Sequence, residues 1–270
     1  MYISERIKRV DRFYGKIGLT IGNFEGHHRG HAEILGSLVN ESRKRGLYSA
    51  VITFKEHPLK ILGGVDPEKL WAPCEKIYSF KKAGIDLLLY IDFTKNISST
   101  LPSDFLHDLD VTLKPKLYCL GSSFRFGKDN RGDVKLIEQL SGKFQFDLVP
   151  VDDVLFHDSA VSSTRIRQAV KSGNIELAGE LLGRKYFVHL IGKPEDPFTL
   201  EPFISNYALP GKGLFSGKLV CLKTNESSME NLKIKGNCFQ SENMKRYRAG
   251  YLYKYYFFSN IDNKHGQKWV

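Results

Sequence analysis

The sequence predicts an α/β fold, a parallel sheet covered on both faces, followed by a small, mainly β, barrel-like domain. Two observations carry this. From residue 16 to about 182, short apolar runs rich in strand formers alternate with segments of helical period. Alternation of this length implies strand–helix crossovers and a parallel sheet with every strand's C-terminal end on one side. Beyond residue 185 the runs over 215–222 and 251–258 read as strands, the second so aromatic that it needs partners on its edges.

The elements follow in order. Residues 16–21 form a first strand, and Ala32, Glu33, Ile34, Leu35, Leu38 and Val39 continue with helical spacing. Residues 48–54 read as a second buried strand ending at Lys55-Glu56-His57-Pro58, and a helix is expected from about 68 to 83. A strand at 86–91, a short helix at 102–109 opened by Pro102, a strand at 117–121, a helix at 133–140 and a fifth strand at 146–150 complete the pattern. Residues 22–31, His57-Pro58, Phe93-Thr94 and residues 121–132 all follow strands directly, so one crevice is expected to collect them.

Composition narrows the function. The chain has 270 residues, 41% hydrophobic and 26% charged, as expected of one large or two smaller globular domains. Residues 1–10 mix charges with single apolar residues, unlike a signal peptide, and the longest apolar run, near 87–91, is too short to span a bilayer. A cytoplasmic protein is expected. Cys74, Cys119, Cys221 and Cys238 are scattered without a CxxC pair, against zinc knuckles and a disulfide framework. The net charge of +10 and a pI near 9.3 would suit nucleic acid or a membrane surface. Yet no basic run stands out before Lys245-Arg246-Tyr247-Arg248, and small polyanionic substrates account for the surplus equally well. We expect neither a nucleic-acid nor a membrane partner.

Chemistry concentrates in Gly22-Asn23-Phe24-Glu25-Gly26-His27-His28-Arg29-Gly30-His31. It joins a strand to a helix, where free N–H groups and the positive dipole end suit a phosphate. His28 and His31, three apart, face the same way on a helical turn, and Gly30 leaves room for a ligand. His27 and His31 also have metal-ligand spacing, but no carboxylate or cysteine at ligand spacing follows closely. A second string, Val161-Ser162-Ser163-Thr164-Arg165-Ile166-Arg167, opens a helix. Ser162 or Ser163 is a natural N-cap, while two arginines in the first turn oppose the dipole unless a phosphate sits between them.

The first string resembles the HxGH signature of nucleotidyltransferases, in the longer form of the adenylyltransferase domain of bacterial FAD synthetases. The second resembles that family's SSTxxR signature. Residues 51–62 are similar to its strand and His-Pro corner, with Lys55-Glu56 in place of the usual Glu-Pro. Gly121-Ser122-Ser123-Phe124-Arg125-Phe126-Gly127 resembles its GxxFRFG loop. The resemblance covers residues 16–187 and implies a Rossmann-like adenylyltransferase that uses Mg²⁺ with ATP, takes FMN as substrate and releases FAD. It implies ATP binding by Gly22, Asn23, Phe24, Gly26, His28, Gly30, His31, Ser163, Thr164 and Arg167, with His28, His31, Thr164 and Arg167 catalytic. It implies flavin binding by Phe54, His57, Pro58, Ser123, Phe124, Arg125 and Phe126; no protein-held metal is expected. Phe124 and Phe126 also fit core positions two apart on a strand end.

Departures are Ser123, where the family has an acidic or amide residue, Glu25 for Asp, and His27 for an apolar residue. The resemblance divides the chain into an adenylyltransferase domain, 1–185, and a shortened riboflavin-kinase-like β domain, 186–270. The kinase's GFPTAN-type segment is missing; in its place stand residues 192–197 and 206–213, the latter read, with 215–222, as a strand pair around a glycine turn. Two alternatives remain open: an enzyme that also phosphorylates riboflavin, and a non-catalytic flavin- or nucleotide-binding regulator.

Overall fold

A computed structural model describes residues 1–8, 11–242 and 245–264. The last six residues of the predicted β domain, 265–270, lie outside the described residues. The chain divides into two compact units: residues 1–67 with 73–160, and residues 68–72 with 161–270.

In the first unit the chain runs β1 (Tyr2–Ser4), β2 (Ile17–Ile21), α1 (Arg29–Lys44), β3 (Tyr48–Phe54), α2 (Pro58–Gly63), α3 (Pro73–Lys82) and β4 (Leu87–Ile91). It continues through α4 (Lys95–Ser99), α5 (Pro102–Thr112), β5 (Leu117–Gly121), the two-residue strands β6 (Arg125–Phe126) and β7 (Gly132–Asp133), α6 (Val134–Phe144) and β8 (Asp147–Val151). A small hairpin, β9 (Leu155–Phe156) with β10 (Ser159–Ala160), closes it.

Six strands form one wholly parallel sheet in the order β1-β4-β3-β2-β5-β8. Side chains alternate between its faces and make two cores. Leu19, Ile52, Leu89 and Tyr118 join Leu106 and Ile137 on one side. Val51, Leu88 and Cys119 join Leu35, Leu38 and Phe80 on the other. α1 lies close on β2 because Gly18 has no side chain: a Cβ there would fall 2.3 Å from Ser42 Oγ. The chain leaves β2 toward β3 on one side and resumes with β5 on the other, so the order reverses beside β2. In such sheets the crevice at the strands' C-terminal ends is the ligand position.

The second unit contains α7 (Ser163–Lys171), α8 (Ile175–Leu182) and a closed barrel. Its strands are β11 (Phe187–Gly192), β12 (Thr199–Pro202), β13 (Gly213–Cys221), β14 (Ser227–Lys235), β15 (Cys238–Ser241) and β16 (Leu252–Asn260), in the order β11-β12-β15-β14-β13-β16. The aromatic run is β16, paired with β11 on one edge and β13 on the other. Closure protects that edge.

Three local expectations differ from the structure. The helix expected over 68–83 begins only at Pro73, a residue suited to a first helical turn. Residues 68–72 are extended instead, bonded through Lys69 N–H to the Asn206 carbonyl and from Ala208 N–H to the Lys69 carbonyl. The His-Pro corner opens a short helix, α2, with His57 as its cap. Residues 206–212 are not a strand: β13 pairs with β14 across the turn at 222–226.

Candidate functional site

The turn between β2 and α1 is conformationally costly. Phe24 (φ 49°), Gly26 (φ 78°) and His27 (φ 43°) are all left-handed, rare for bulky side chains. The turn is held by its surroundings: Thr53 Oγ1, fully buried, donates to the Asn23 carbonyl at 3.2 Å. The Phe24 ring is 2% exposed and packs edge-on against Phe80 at 5.5 Å. What Phe24 offers a ligand is therefore backbone, not ring.

This turn delivers His28 to the N-cap of α1, with Gly30 and His31 in the first turn. His28 Nδ1 accepts the His31 backbone N–H at 3.4 Å, which assigns the ring proton to Nε2. The two imidazoles stack, centroids 3.6 Å apart and planes 20° from parallel. Burial, with His27 nearby, pulls the His28 pKa down to about 4. His31 is held well below the usual imidazole range by burial first, then by His28, His27 and Lys76. His31 Nδ1 is enclosed without a hydrogen-bond partner, a buried polar atom that carries a desolvation cost. Both rings are thus uncharged at neutral pH and act as hydrogen-bonding groups rather than cations.

This sets a pH prediction. His28 titrates near 4 when folded and near 6.5 when unfolded, so within that window the unfolded chain binds the extra proton. Stability is full above about pH 6.5 and falls as pH drops toward 4, by up to ~3 kcal/mol from this residue; His31 acts in the same direction. Urea midpoints measured from pH 7 to 4.5 should fall steadily, and His28→Asn should flatten that slope; an unchanged slope would refute the assignment.

Beside the turn lies a cavity of about 660 Å³ within the first unit. Gly22 and Asn23 line one part of it; Phe54, Pro58, Phe93, Phe105, Phe124 and Phe126 make much of the wall, and Arg125, Lys128, Asp129 and Asn130 its polar side, two cations against one carboxylate. Phe124 and Phe126 stack at 5.5 Å with planes 13° apart, and Phe54 meets Phe93 edge-on at 5.0 Å. Such walls fit a planar aromatic ligand with an anionic end. The loop doubles back at Gly127 (φ 71°), where a Cβ would lie 2.8 Å from the Pro102 ring.

The crevice expected after β2, β3, β4 and β5 exists in part: Gly22, Asn23, Pro58, Phe93 and residues 124–130 line the cavity, whereas His28, Gly30 and His31 do not. Of the predicted flavin-binding residues, His57 and Ser123 do not line it. His57 Nδ1 caps α2 through the Leu59 N–H, and Ser123 Oγ donates to Asp153 at 3.3 Å. Ile97, Leu62 and Phe105 line it and were not foreseen; Phe105 carried only the signal of an apolar helix position.

Ser163, Thr164 and Arg167 open α7 in the second unit. Ser162 is the cap, accepting the Arg165 N–H at 3.3 Å, and Arg167 Nε donates to the Glu68 carbonyl at 2.6 Å. Among the described residues no group of three or more His, Cys, Asp or Glu could hold a metal ion. A Mg²⁺ arriving on a triphosphate brings phosphate and water ligands and needs no such cage.

The sequence profile described as FAD synthetase matches residues 13–165, more than half of the chain. The chain belongs to the FAD synthetase family. Among its relatives is the bifunctional riboflavin kinase/FMN adenylyltransferase of Escherichia coli K12, 34% identical over 172 residues, 63% of this chain and 55% of that protein. The protein of the same description from Bacillus subtilis is 32% identical over 214 residues, 74% of this chain and 66% of that one. That of Buchnera aphidicola from Acyrthosiphon pisum is 28% identical over 87% of this chain and 78% of its own length. The chain spans little more than half the length of the E. coli relative. A solved structure described as a macrolide-efflux protein from Streptococcus pneumoniae has a TM-score of 0.82 over 96% of this chain and 90% of that one, at 21% identity. At that identity the likeness shows a shared fold alone.

Proposed function

We propose that the chain is an FMN adenylyltransferase, moving AMP from ATP to FMN to give FAD and pyrophosphate. One observation carries this reading: an aromatic cavity lined by Gly22 and Asn23 of the same turn that presents His28 and His31. A planar flavin matches the aromatic walls, and its phosphate matches the polar side bearing Arg125 and Lys128.

In this reading a phosphate oxygen of FMN attacks the α-phosphorus of ATP and the bond to pyrophosphate breaks. A phosphate monoester is largely ionised at neutral pH, its second pKa being about 6, so no general base is required. Alignment and hydrogen-bond donation to the phosphates are what the protein supplies. His28 Nε2–H and the His31 ring are neutral donors suited to this, and Asn23 orients the nucleotide. When bound, Mg²⁺ neutralises phosphate charge. The roles of Ser163, Thr164 and Arg167 rest on the likeness of their segment to SSTxxR. Residues 1–185 carry the transfer, and residues 186–270 are a shortened barrel without kinase activity. No helix among the described residues is long and apolar enough to cross a membrane, and a cytoplasmic enzyme is the reading that fits.

The test is a chromatographic time course of the purified protein with Mg²⁺-ATP and either FMN or riboflavin. FAD from FMN alone supports the proposal with the kinase absent; flavin phosphate from riboflavin would establish the bifunctional alternative, which the names of the relatives favour. No product from either would defeat the enzyme reading. Phe124→Ala, which removes one of two stacked walls, should raise the KM for FMN about tenfold and leave the KM for ATP unchanged. Equal rises in both would show that the wall does not contact flavin.

A further inference from the structure

We propose that Lys76 is a positioning residue: its buried ammonium caps the end of β3 and so fixes Phe54 as a wall of the aromatic cavity. That the ring held there is a flavin rests on the function proposed above; the cap does not.

Lys76 sits on α3, and its sequence neighbours Lys81 and Lys82 are exposed in the ordinary way. Lys76 is 5% exposed, and among the described residues no other lysine or arginine is buried. A buried ammonium is expensive unless its protons are used. Here Nζ donates to the Phe54 carbonyl at 2.9 Å and lies 5.8 Å from the centre of the Tyr90 ring. Phe54 is the last residue of β3, its register partner on β4 is Ile91, and the Lys55 N–H gives a bond to the Ile91 carbonyl at 2.9 Å. Just beyond, the chain turns away at His57-Pro58. The lysine therefore takes the carbonyl at the point where the strand stops. Held there, the Phe54 ring stands edge-on to Phe93, and both rings line the cavity. The same ammonium adds to the potential that keeps His31 uncharged. Burial, His28 and His27 come before it among the causes, so His31 stays neutral without Lys76 and the effect of the ammonium falls on the Phe54 wall.

The test compares wild type, Lys76→Met and Lys76→Arg in the full chain, by FMN fluorescence titration, ATP titration without FMN, and amide hydrogen exchange. In Lys76→Met the Phe54 carbonyl loses its donor. The Kd for FMN should rise about tenfold with the Kd for ATP unchanged, and Lys76→Arg, which keeps a donor, should recover most of the loss. Combined with Phe54→Leu, Lys76→Met should add little further loss, because both act through one ring. The Lys55 amide should exchange about tenfold faster in Lys76→Met, with amides of β2 and β5 unchanged. Unchanged FMN affinity and unchanged Lys55 exchange in a folded variant would overturn the proposal. Equal loss of FMN and ATP would overturn it too, by showing general loosening. If wild type binds no FMN, the flavin reading falls, and the Lys55 exchange comparison alone decides the cap.

Discussion

Replacing His31 with alanine is expected to lower kcat for FAD formation by about 100- to 1,000-fold, the loss typical of removing one preorganised donor to a developing charge. The fold should not suffer. His31 Nδ1 is buried without a partner, so the wild-type side chain carries a desolvation cost of its own. Alanine removes that cost and is the best helix former, in the first turn of α1. A melting temperature equal to or above wild type, together with the lost rate, is the expected pair. A non-catalytic binder would lose affinity only, and a collapsed fold would mean that His31 is structural.

The second large effect lies in the barrel. Phe257 is fully buried at the centre of an aromatic cluster, with ring centroids 4.8 Å from Tyr255, 5.7 Å from both Tyr186 and Phe215, and 6.4 Å from Phe239. β16 pairs on both sides, so its neighbours cannot readily close on a void. Phe257→Ala should therefore cost about 3–5 kcal/mol. In calorimetry the barrel's transition should fall by roughly 10 °C or more. A shift of a degree or two would show that the cluster relaxes or that the barrel contributes little cooperativity.

The parts of this molecule that were legible in the sequence are those fixed by local chemistry. Residues 16–39 read as strand, turn and helix because Gly22, Gly26 and the apolar spacing on either side leave few other solutions, and the structure places them so. The alternation that follows gave the parallel sheet, and the aromatic run gave a strand in need of two partners. What was not legible depends on contacts distant in sequence. Leu70, Trp71 and Ala72 look like the first turn of a helix, yet this segment takes its hydrogen bonds from Asn206 and Ala208. Lys76 looks like any solvent-facing lysine of α3; only the end of β3, 22 residues away, makes it a buried donor. Ile97 and Phe105 reach the cavity through α4 and α5, whose placement no local pattern specifies. The candidate site divides likewise: its polar turn was readable from ten consecutive residues, and much of its aromatic wall was not.

The most direct test of the adenylyltransferase reading is to follow label from ATP into flavin. The protein is incubated with Mg²⁺, FMN and ATP labelled either at the α- or at the γ-phosphorus, and the products are separated. The predicted result is α label in FAD and γ label in pyrophosphate only. The γ label in a flavin, or no labelled flavin with either ATP, would contradict it.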